Sequence, residues 1–81
     1  MKINMYSETW EVFVRNIVWL RKHFNLSKKK MSEILGIDIS TLVEIEKGSM
    51  PNEVTVDILF KAENYFGIPI KDLISRFIYD E

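Results

Sequence analysis

The stretch LSKKKMSEILGIDISTLVEIEKG, residues 26–48, reads as two short helices joined by a tight turn. Ser27 is placed to cap the first, its hydroxyl accepting from a free amide of the opening turn. Met31, Ile34 and Leu35 recur at three- and four-residue spacing and give that helix one apolar face. Gly36 stands where a helix that ends in a left-handed residue calls for glycine. Asp38 is placed to cap the second helix, residues 39–47, in which Leu42 and Ile45 face inward. Ser40, Thr41, Val43 and Glu44 lie nearer water, and Gly48 closes the helix. Helices this short bury too little surface to persist alone, so the remaining chain is expected to be their support.

Upstream, residues 1–6 read as a loose leader, and Ser7 is placed to cap a long helix with Glu8 in its first turn. Trp10, Phe13, Val14, Ile17, Leu20 and Phe24 fall on one face, which carries the helix to about His23 or Phe24. Arg21 falls on that same apolar face, where an isolated guanidinium is costly, so it needs a buried or half-buried partner. Val12 and Trp19 lie on the other side, either under the leader or as a dimer contact.

Downstream, residues 49–54 read as a loop, and Thr55 is placed to cap a fourth helix with Asp57 in its first turn. Val56, Leu59, Phe60 and Phe66 make its expected core face, with Ile58, Ala62 and Tyr65 a weaker second stripe, and Gly67 ends it. Pro69 suits the start of a last helix, where a missing amide donor is harmless. Leu73, Ile74, Phe77 and Ile78 supply apolar residues beyond what a small final helix must bury, before a polar tail at 79–81. No repeat, linker or low-complexity segment divides residues 1–81, so one all-α domain of five helices is expected.

Composition narrows the function. An apolar fraction of 47% over 81 residues suffices for a single core, and no apolar run is long enough to span a membrane. With no signal-peptide pattern at the start and no cysteine, a cytoplasmic protein without disulfides or cysteine-held metal is the expectation. The lone histidine, His23, sits at a helix end as a surface or dipole partner rather than a base. No Gly-rich phosphate loop or metal-spaced cluster occurs, so no enzyme, cofactor or small-molecule substrate is expected.

The formal net charge is −1, but it is unevenly spread. Residues 1–26 carry a net of +2, residues 27–48 balance four lysines against four acids, and residues 49–81 carry −3. Lys28, Lys29 and Lys30 open a helix, where cations oppose the macrodipole. Three lysines beside free amides make an anion site; the alternative is a solvated charge run.

Taken together, these elements resemble the lambda-repressor-like helix-turn-helix family, the group that includes xenobiotic-response-element-type bacterial and phage regulators. The resemblance rests on Leu20-Arg21, Leu26-Ser27, Met31-Ser32, Leu35-Gly36-Ile37, Ser40-Thr41-Leu42, Ile45-Glu46-Lys47-Gly48 and Phe66-Gly67-Ile68. It implies a five-helix DNA-binding domain whose helix-turn-helix spans residues 27–48, with Arg21 paired structurally to Glu46. It further implies a small regulator, a repressor, binding double-stranded DNA as a homodimer, since one short helix reads too few bases. Lys28, Lys29, Lys30 and Lys47 would then hold phosphates, while Ile39, Ser40, Val43 and Glu44 would face base edges and Thr41 either.

The chain departs from the family's pattern at three places. Lysines replace the usual glutamine and acids at 28–30, Glu44 brings a carboxylate to the groove face, and the loop at 49–54 is longer and has no cation. The competing reading is a protein-interaction or dimerisation module that has kept this scaffold and lost DNA binding.

Overall fold

The computed structural model describes residues 7–49 and 56–78. The expected leader at 1–6, the loop from 50, the cap Thr55 and the tail at 79–81 lie outside the described residues, as does the side chain of Ser7. Among the described residues the fold is all-α, with five helices and no strand. They are α1 (Ser7–His23), α2 (Lys28–Leu35), α3 (Ile39–Glu46), α4 (Asp57–Phe66) and α5 (Ile70–Ser75). α2 packs on α3 and α4, α3 also packs on α1, and α5 bridges α1 and α4. One core results, built from Phe13, Ile17 and Leu20 of α1, Met31 and Leu35 of α2, Leu42 and Ile45 of α3, Ile58 and Ala62 of α4, and Leu73 of α5.

The helix ends are set by local hydrogen bonding. α1 stops because Asn25 takes a left-handed conformation (φ 56°), its amide donating to Lys22 O and that of Leu26 to Arg21 O. This pair of bonds satisfies carbonyls that the last turn would otherwise leave open. The chain turns away at this point, which leaves Phe24 exposed rather than on the core face that its spacing suggested. Ser27 Oγ accepts from Lys30 N at 3.0 Å and caps α2. Asp38 occupies the corresponding position before α3, but its side chain makes no capping bond.

On α4 the inward face is rotated from the expected one. Ile58 and Ala62 are buried together with Leu59, while Phe60 is 50% exposed. With apolar residues at 56, 58, 59, 60, 62, 65 and 66, the pattern accommodates more than one inward face. Packing against α2 and α5 selects the face containing the small Ala62, where helices approach closely. Gly67 ends α4 in the left-handed region, and Glu63 then reaches across to accept from Ile70 N, capping the start of α5.

Periodicity alone gave Asn16 no role, yet it is fully buried on α1. Its amide nitrogen donates to Leu73 O and to Arg76 O, each at 2.8 Å, and its carbonyl oxygen accepts from Ile78 N at 3.0 Å. One side chain therefore satisfies the backbone where α5 ends and holds Ile78 against the core. Asn16→Leu would leave three backbone groups unsatisfied, each worth about 1–3 kcal/mol. Equilibrium urea unfolding should show a loss of roughly 3 kcal/mol or more. A loss below about 1 kcal/mol would mean that this clasp does not hold α5.

Candidate nucleic-acid interface

The helix-turn-helix unit is α2, the turn at Gly36 and α3. At the turn, Gly36 N donates to Glu33 O and Ile37 N to Ser32 O, with Gly36 at φ 71°. A side chain there would be strained by the backbone and would also run into the Lys61 side chain, which lies over the turn from α4. α3 then buries Leu42 and Ile45 completely and turns its other side outward.

At about 100° per residue, Ile39, Val43, Lys47, Ser40 and Glu44 sweep an outward arc of roughly 140°. Ile39 stands at one edge, 48% exposed, and Glu44 at the other. Ser40, Glu44 and Lys47 are exposed, whereas Val43, within the arc, and Thr41, beyond its Glu44 edge, are half-buried. Lys47 is the residue that caps α3 at its C-terminus, beyond the last helical turn.

Lys28, Lys29 and Lys30 form the exposed first turn of α2, a turn that contains no acid. Among the described residues none of these lysines, nor Lys47, makes an ion pair. Arg21 is differently placed. Its Nε donates to Glu46 Oε2 at 2.8 Å and its Nη2 to Glu46 Oε1 at 3.1 Å, a two-pronged pair. Nη1 also donates to Leu26 O at 3.4 Å, so the guanidinium joins α1, the start of the helix-turn-helix and the last turn of α3. The two side chains are only 14% and 10% exposed.

This pair changes the local charge. Glu46 is neutralised by Arg21, so residues 27–48 present four lysines against Glu33, Asp38 and Glu44. Elsewhere Glu11 is held by Arg15 and Asp72 by Arg76. The formal −1 thus understates the positive character of the two-helix unit.

A second surface feature joins Trp19, read from sequence as covered by the leader or as a dimer contact, to rings that sequence alone did not connect with it. Trp19 stacks on His23 with ring centroids 4.4 Å apart, His23 meets Phe24 edge-on, and Phe24 contacts Phe66, which meets Tyr65. These rings run from the end of α1 to the end of α4 beside a shallow groove of about 290 Å³. The i, i+4 spacing of Trp19 and His23 was the available signal. Val12 is half-buried, and the leader expected over it lies outside the described residues. Among the described residues no group of His, Asp and Glu is gathered to hold a metal, and no helix is long and apolar enough to cross a membrane.

Residues 15–76 match the family of helix-turn-helix domains, and the chain belongs to it. It is also similar to the uncharacterized HTH-type transcriptional regulator MJ0272 of Methanocaldococcus jannaschii, being 30% identical over 63 residues. That alignment covers 78% of this chain and 88% of the relative. No solved structure gives a significant match.

The Arg21–Glu46 pair yields a stability test. Arg21→Met or Glu46→Gln alone should cost about 3–5 kcal/mol, because each strands a largely buried charge or its hydrogen bonds. The double variant should lose less than the two single costs added together, as read from urea midpoints. Additive costs would show that the two side chains are energetically independent.

Proposed function

We propose that this protein is a lambda-repressor-like transcriptional regulator that binds duplex DNA sequence-specifically, as a repressor, with α3 in the major groove. The observation that carries the reading is the outward arc of α3. Ile39, Ser40 and Glu44 are exposed on the second helix of a helix-turn-helix domain, while its opposite side is wholly buried. The similarity to a protein described as a transcriptional regulator supports the same class.

In this reading α2 lies across the backbone with Lys28, Lys29 and Lys30 on phosphates, and Lys47 supplies a further phosphate contact near the end of α3. Placing three cations on a helix N-terminus is unfavourable for the free protein, and phosphates reverse that penalty on binding. Ile39, Ser40, Val43 and Glu44 address base edges, with Thr41 at the flank. Two-fold pairing of protomers joins two half-sites one helical turn apart.

A protein-interaction module is the second reading, and two observations favour it. Glu44 is exposed on the groove face with no ion-pair partner among the described residues, and the aromatic run from Trp19 to Tyr65 offers a surface of the kind that partners cover.

The three lysines discriminate. Changing Lys28, Lys29 and Lys30 together to glutamine should weaken binding to any duplex. For every phosphate that the variant no longer neutralises, the log–log salt dependence should flatten by roughly 0.9. The variant's own stability should stay level or rise, since the dipole conflict is removed. Titration of labelled duplexes across a salt series reads the slope, and an unchanged slope would return the lysines to a solvated charge run.

A further inference from the structure

The outward arc of α3 has two chemically different edges. Ile39 and Val43 form an apolar stripe one turn long, with Ile39 exposed. Ser40 and Glu44 form a polar stripe beside it, likewise one turn long. Among the described residues the Glu44 carboxylate has no ion-pair partner, and Arg21 is committed to Glu46. A carboxylate left bare on this arc is repelled by phosphates and is acceptor-only.

In the major groove the donors are the amino groups of cytosine and adenine. Adenine places its N7 acceptor beside the amino group, where it repels a second acceptor, whereas cytosine places only a ring C–H there. Thymine alone offers a methyl group, the natural contact for an aliphatic stripe. The rise from Ile39 to Glu44 is about 7.5 Å, which spans roughly two base-pair steps.

Resting on the DNA-binding reading above, we infer that α3 selects a half-site containing a cytosine, read by Glu44 through its N4 amino group. A thymine about two base pairs away is read by Ile39 through its methyl. Glu44 is then a specificity residue of a particular kind. It lowers affinity for every duplex through phosphate repulsion and recovers it only where a cytosine donor is presented. Ser40, on the same stripe and able to donate or accept, tolerates several bases and adds little selection of its own.

The test is selection from randomised duplexes at physiological salt, run with the wild-type protein and with Glu44→Gln, an isosteric change at an exposed position. Wild type should recover a site with one invariant C·G pair per half-site. In the variant, preference at that pair alone should relax by roughly 5- to 150-fold, while affinity for unselected duplex rises. Replacing the selected thymine with uracil removes only the methyl and should weaken wild-type binding about fourfold. If wild type recovers a site but Glu44→Gln retains the same preferences, the cytosine assignment is overturned while DNA binding stands. Equal affinity for the uracil duplex overturns the thymine half. If wild type enriches no sequence, the DNA-binding reading itself fails and this inference falls with it.

Discussion

Two eight-residue helices cannot hold a fixed orientation by themselves, and in this protein the constraint that fixes α3 is its attachment to α1. Leu42 and Ile45 give α3 its burial, but apolar contacts tolerate sliding and rotation. The two-pronged Arg21–Glu46 pair does not. Its planar geometry accepts one alignment of the two helices, and the extra bond from Arg21 to Leu26 O sets where the chain re-enters α2. The outward arc of α3 is therefore oriented by a contact just beside it, since Glu46 lies about 20° around the helix from Ile39. A largely buried ion pair is a poor source of net stability, so its value here lies in geometry.

A second consequence concerns charge. The arginines that a simple count would assign to an anionic partner are largely spoken for: Arg21 by Glu46, Arg15 by Glu11 and Arg76 by Asp72. Among the described residues the lysines at 28–30 are not, and they sit where the helix itself disfavours them. A near-neutral chain can in this way present a local field very different from its total.

Much of the fold was legible because its signals are local. The caps at Ser27 and Gly36, the apolar spacing of α1, and the inward Leu42 and Ile45 depend on neighbours within a turn or two. The Arg21 partner was legible differently: the apolar face showed that a partner was needed, and the family resemblance named Glu46. Asn16 was not legible, since its partners are backbone groups about 60 residues away and nothing near it records them. The α4 face misled because apolar residues surround that helix, so that Phe60 was expected on the main core face and Ile58 only on a weaker second stripe. The end of α1 was set by Asn25 in a conformation more often given to glycine, and Phe24 left the core with it. For the candidate interface, sequence sufficed to say which side chains of α3 face outward, but the aromatic run from Trp19 to Tyr65 needed two helices brought together.

The Asn16 clasp also orders events during synthesis. A nascent chain emerging as far as the end of α4 already contains α1, α2 and α3, with the Arg21–Glu46 pair free to form. What it lacks are Leu73 O, Arg76 O and Ile78 N, the groups that satisfy a fully buried amide in the middle of α1. Until they arrive, closing the core would bury Asn16 unpaired, at the desolvation cost of its amide. Loop-closure entropy rises only slowly with length, so the wide separation of Asn16 from these partners along the chain adds little to the cost of bringing them together. Kinetically it makes α5, a helix of six residues, the segment that completes the domain.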